Sequence, residues 1–139
     1  MPDLEDFQGA WRIDRRIEDA RAGTIAHFDG TACFNADGAG LILDESGTLS
    51  LTEQRPILAS RRYLWQAGPD GIAVHFADGR FFHDIGRGIA PKARHDCPPD
   101  IYEVIYDFAM WPEWHATWRV RGPRKNYVIH SRYLDRAAI

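Results

Sequence analysis

Short runs of β-branched and aromatic residues alternate with polar ones along most of the chain, and Gly, Asp and Pro interrupt them about every 8–12 residues. Alternation at period two marks a half-buried strand, and short strands at this spacing build a sandwich or a barrel. The pattern predicts strands at Gly9–Ile17, Thr24–Phe34, Gly40–Asp44, Thr48–Thr52, Ala59–Gln66, Ile72–Ala77, Arg80–Ile85, Ile101–Phe108, Trp114–Arg121 and Asn126–Leu134. Ile101, Val104, Ile105 and Phe108 also fit a helical spacing, but the Tyr, Val, Ile and Phe content of that run favours a strand. Leu4–Phe7 suits a helical turn plugging one end, and Gly86–Pro99, with three prolines, reads as a long polar loop.

Asp78-Gly79 between two apolar runs predicts a two-residue type I′ hairpin, because Gly accepts the positive φ such a turn needs. That register sets Phe76 opposite Phe81, Val74 opposite His83 and His75 opposite Phe82. Glu45-Ser46-Gly47 and Gly68-Pro69-Asp70-Gly71 read as further hairpin loops, and Gly30 as a bulge within a long strand. Consecutive hairpins give an up-and-down order, and closure removes the free edges. The expected fold is all-β, a closed up-and-down antiparallel β-barrel with little helix, formed by residues 1–139 as one domain.

Composition bounds the function. A formal net charge of −3 opposes general nucleic-acid binding, which needs a basic field. Residues 1–70 carry seven Lys/Arg against twelve Asp/Glu, whereas residues 71–139 carry ten against eight, so the second half is mildly basic. Asp3, Glu5 and Asp6 stand where a secretory signal would need positive charge, and no apolar run approaches the ~20 residues of a membrane span. A cytoplasmic protein with Cys33 and Cys97 reduced is the expectation, with no membrane partner.

The opening Phe7-Gln8-Gly9-Ala10-Trp11 resembles the Gly-x-Trp start of the calycin barrels, the lipocalins and fatty-acid-binding proteins. The resemblance implies that Trp11 closes one end of the barrel beneath a last-strand basic side chain, here Arg132. Fatty-acid-binding proteins hold a carboxylate with an Arg-x-Tyr pair on the last strand. Here Ser131-Arg132-Tyr133 puts Arg and Tyr on opposite faces, and the spacing recurs instead at Arg61-Arg62-Tyr63. The ordered set Phe7-x-Gly9-x-Trp11, Asp78-Gly79-Arg80-Phe81-Phe82-His83, His95-x-Cys97-x-x-Asp100-x-Tyr102 and Trp118-x-Val120-x-Gly122-Pro123-x-Lys125 resembles an uncharacterised family of short bacterial proteins. That resemblance implies a lipocalin-like barrel and no particular activity.

The candidate chemistry is spread over several strands. His83 shares a face with Ile72, Val74, Phe76 and Phe81, as a satisfied core histidine or as a ligand anchor. Arg61, Tyr63 and Trp65 share another face, and an Arg/Tyr/Trp stripe inside a barrel makes a polar-tipped pocket. Trp114, Trp118 and Val120 oppose Thr117, Arg119 and Arg121; Arg121 points outward by default, and Arg119 is open either way. His95-Asp96-Cys97 lacks the four-ligand spacing of a structural zinc site, so no metal is expected. No nucleotide, flavin or hydrolase motif occurs, and no cofactor is expected.

Three functions remain. In the first, Tyr63, Trp65, Phe81, Tyr102 and Tyr106 line a pocket for a small, largely apolar ligand. His83 and an arginine, Arg61 or Arg119, fix its polar end, and the basic drift of the second half suggests an anion. In the second, His83, His95, Cys97 and Arg119 converge as an enzyme site at the barrel mouth. In the third, a Tyr/Arg-rich surface serves subunit contacts, such as a homodimer.

Overall fold

Strand after strand, the alternation places one set of side chains inside a closed sheet and the other outside. The computed structural model of the chain describes residues 2–135. A 3-10 turn at Leu4–Phe7 precedes ten strands: β1 (Gly9–Asp19), β2 (Thr24–Asp37), β3 (Gly40–Leu51), β4 (Ile57–Gly68), β5 (Gly71–Phe76), β6 (Phe81–Gly86), β7 (Lys92–Cys97), β8 (Asp100–Asp107), β9 (Trp114–Gly122) and β10 (Lys125–Asp135). The ladders are antiparallel in the order β6-β5-β4-β3-β2-β1-β10-β9-β8-β7, and β6 and β7 meet where the ends of the sheet come together. At that seam the Phe82 and His95 rings meet edge to face, 5.2 Å apart. The fold is a closed up-and-down antiparallel barrel with essentially no helix, broadly calycin-like in shape.

The 3-10 turn plugs one end. Its Phe7 is fully buried and meets Trp65, Trp111 and Trp114 edge to face at 5.1, 5.1 and 5.2 Å. The Trp11 indole N–H donates to the Phe7 carbonyl at 2.8 Å. Trp11 is buried, but Arg132 does not cover it: Trp111 does, at 5.4 Å. Arg132 is adjacent to the inward Tyr133, so period two sends it outward, where it meets Asp14 at 3.3 Å and Glu113 at 3.5 Å.

Four local expectations need correction. Glu45-Ser46-Gly47 is no hairpin loop: β3 runs straight through it, in unbroken register with β2. Gly30 is no bulge either, since it sits directly opposite Gly47. A Cβ on Gly30 would meet the Ser46 carbonyl, and one on Gly47 the Asp29 carbonyl, so both glycines let two backbones cross closely. The supposed loop Gly86–Pro99 contains β7, a polar strand that ladders only with β8. Bonded along one side, it is held by backbone pairing rather than by apolar alternation.

The fourth correction moves side chains. The turn after β5 takes three residues, Ala77-Asp78-Gly79, with Phe76 N–H donating to the Arg80 carbonyl at 2.8 Å and Gly79 at φ 91°. His75 then pairs with Phe81 and Val74 with His83, so Phe82 is an extra residue on β6. A bulge breaks the alternation, and Phe82 and His83 both turn inward while Phe81 faces out, 52% exposed. Period two holds on the inner half of β8. On β8, Val104 and Tyr106 are buried and Ile105 is 45% exposed, as a strand and not a helix requires.

Candidate functional site

Above the plug the barrel interior is not filled. A cavity of about 370 Å³ runs from Trp65 and Trp114 near the closed end to a rim formed by Arg61, Tyr102, Lys125 and Tyr127. Period two delivers its walls: Tyr63 and Trp65 from β4, Tyr102 and Tyr106 from β8, Trp114, Ala116, Trp118 and Val120 from β9. The bulge adds Phe82 and His83 from β6.

Six of the eight residues picked from the sequence therefore face one cavity: Arg61, Tyr63, Trp65, His83, Tyr102 and Tyr106. The other two do not. Phe81 is displaced to the outside by the bulge, and Phe82 stands in its place, stacked on Trp118 at 5.0 Å. Arg119 is exposed on the outer face, because Trp118 and Val120 take the inner one. The four residues of the enzyme hypothesis are thus not assembled: Arg119 lies outside, and Cys97 is exposed at the end of β7.

His83 is 3% exposed, and its Nε2 lies 2.9 Å from the Tyr106 hydroxyl. Burial, with a smaller contribution from nearby His95, lowers its pKa to about 3, so the ring is neutral at physiological pH. Burial likewise raises the Tyr106 phenol far above its ordinary value. These two groups hold no charge and exchange one hydrogen bond. Trp65 Nε1, His83 Nδ1 and Trp114 Nε1 are buried without a hydrogen-bond partner among the described residues.

The most polar part of the wall was missed by the sequence reading. Arg15 on β1 donates from Nε to Ser131 Oγ at 2.7 Å, and from Nη2 to Glu45 Oε1 at 3.0 Å and Tyr133 Oη at 2.9 Å. Tyr133 in turn donates to Glu45 Oε2 at 2.7 Å. Burial opposes the Arg15 charge, but Tyr133 and Glu45 more than offset it, and the guanidinium pKa stands above its ordinary value. One signal was present. Arg15 continues the inward face Trp11, Ile13, and Glu45 continues Leu41, Leu43.

At the rim, Lys125 hydrogen-bonds the Tyr102 hydroxyl and lies beside Asp100, both at 3.1 Å, and these contacts raise its pKa. Arg61 and Lys125 both act on the Tyr127 phenol, against its burial. The site is an aromatic chamber with a neutral His–Tyr pair, a buried Arg–Glu–Tyr network and a basic rim. Among the described residues no group of three or more His, Cys, Asp or Glu side chains could hold a metal, and no helix is long and apolar enough to cross a membrane.

The fold has a counterpart among solved structures. That of an S-type phycobiliprotein lyase, CPES, from Guillardia theta superposes with a TM-score of 0.62 and 12% identity over 94% of this chain and 87% of that one. At that identity the likeness is one of fold. No curated protein matches the sequence. The model of a family of unknown function, DUF6314, matches residues 7–135, and the chain belongs to that family.

Proposed function

We propose that the barrel binds a small, largely apolar molecule carrying one polar end, seated in the interior cavity. The observation that carries this reading is the cavity itself: about 370 Å³, open at one rim and walled by aromatic side chains. Small-molecule sites fall at roughly 300–1,000 Å³ and combine mostly apolar walls with a few placed polar groups. Desolvation of the apolar body against Phe82, Trp118 and Val120 supplies most of the affinity. The similar fold of the phycobiliprotein lyase adds no chemistry to this reading, because fold alone does not carry function.

Ala116, 2% exposed, faces the cavity from β9, and Ala116→Phe would fill part of it. Calorimetric titration with a neutral naphthyl ketone should show saturable binding to the wild-type chain. The Ala116→Phe variant should lose that binding while keeping its far-ultraviolet circular dichroism. Absence of saturable binding to the wild type overturns the proposal.

A further inference from the structure

We infer that the cavity selects a monoanion, with its charged group at Arg61 on the rim, its apolar body pointing towards Trp114, and Glu45 limiting the ligand to one charge. The inference rests on the cavity-binding reading and adds the ligand's charge, orientation and size.

Charge comes first. Arg15, Arg61 and Lys125 are the cations that line the cavity, and Glu45 is the carboxylate. Arg15 is spent on Glu45, which it meets through both terminal nitrogens at 3.0 Å. Lys125 is spent on Asp100 at 3.1 Å. Arg61 lies opposite Glu45 in the β3–β4 register, yet both Glu45 oxygens are already taken, one by Arg15 and one by Tyr133. Among the described residues no carboxylate forms an ion pair with Arg61. One positive charge is therefore left facing the cavity. A single anionic group on the ligand matches it, and a cation would meet repulsion. A second, deeply inserted anionic group would be left without a counter-charge, which is strongly unfavourable away from water.

Orientation follows from where that charge stands. Arg61 is solvent-exposed, and Tyr102, Lys125 and Tyr127 share its rim. The far end is closed by Trp65 and Trp114, which pack on Phe7. A carboxylate at Arg61 keeps part of its hydration while the apolar body enters the aromatic chamber. Size follows from volume. A cavity of about 150 Å³ accommodates benzene, so by proportion 370 Å³ takes about 15 non-hydrogen atoms.

Three naphthalene probes of this size separate the possibilities by calorimetry on the full chain: 2-naphthoate, neutral 2-naphthamide and naphthalene-2,6-dicarboxylate, which would drive a second charge inward. The naphthoate should bind at least about tenfold tighter than either of the others, the smallest ratio expected for one charge-assisted hydrogen-bonded contact. Arg61→Gln should erase the preference for naphthoate over the amide, and Arg61→Lys should keep it. Glu45→Gln frees Arg15 and should shift preference towards the dicarboxylate. Because that variant loses a buried ion pair, the two exposed-site Arg61 variants decide the matter by themselves. Equal binding of amide and naphthoate, or a naphthoate preference that survives Arg61→Gln, overturns the charge assignment and leaves the cavity reading standing. Binding of none of the three overturns both.

Discussion

Replacing Glu45 by Gln tests the buried network directly. The side chains of Arg15 and Glu45 are 17% and 6% exposed, so this pair does not belong with surface ion pairs worth ~0–1 kcal/mol. Gln keeps the volume and removes the charge, leaving the Arg15 guanidinium without a carboxylate and Tyr133 with a weaker acceptor. Breaking a buried pair at one end costs about 3–5 kcal/mol, and the adjoining cavity argues for the lower end. With 139 residues, an unfolding entropy of roughly 2.1 cal/mol/K per residue totals about 0.29 kcal/mol/K. Three kcal/mol then lowers Tm by about 10 °C, and five by about 17 °C. Thermal melts followed by far-ultraviolet circular dichroism measure this. The double variant Arg15→Met, Glu45→Leu removes both charges and should recover at least half of the loss, since the penalty lies in the orphaned charge. A fall below about 3 °C for Glu45→Gln would refute the reasoning, because that is what a solvated pair would give.

The remaining predictions address other parts of the barrel. His83 has a folded pKa of about 3 against 6.5 when free, so the unfolded chain takes up its proton first on acidification. The stability from keeping this ring neutral is complete above about pH 6.5 and is lost as pH falls towards 3, by about 2 kcal/mol at pH 5. The difference between Tm–pH profiles of wild type and His83→Phe should show that slope, and parallel profiles would refute it. Phe81→Ser should change stability by less than about 0.5 kcal/mol and Phe82→Ala lower it by about 3 kcal/mol or more, in urea titrations. The reverse order would mean that the β5–β6 register lacks the bulge. Gly47→Ala places a methyl against the Asp29 backbone and should cost at least about 2 kcal/mol, whereas Gly38→Ala, with open space, pays only for its φ of 59°.

Much of the architecture was legible because strand alternation is a local property. That Tyr63 shares a face with Trp65, and Tyr102 with Tyr106, can be read from period two alone, and Gly68-Pro69-Asp70-Gly71 closes a hairpin with Gly68 paired to Gly71. Local rules misled where a polar or flexible residue served a distant partner. Glu45-Ser46-Gly47 has the composition of a turn, but Gly47 is needed for the crossing with Gly30, and Glu45 for Arg15, 30 positions away. Lys92–Cys97 lacks apolar alternation, since its strand state comes from the ladder with β8.

By itself the sequence determined the class of the fold, the plugged end at Phe7 and which residues share a strand face. The tertiary structure decided which face is inside, and with it the chemistry. Arg119 and Trp118 are neighbours with opposite fates, and nothing local says which of the two turns inward. The bulge that turns Phe82 and His83 the same way arises from a three-residue turn where a two-residue turn was equally consistent with Asp78-Gly79. The charge facing the cavity is a balance among Arg15, Glu45, Arg61 and Lys125, which closure of the sheet brings together from β1, β3, β4 and β10. Pairing between strands far apart in sequence depends on burial and the Coulomb field of the closed barrel, and period two carries no record of either.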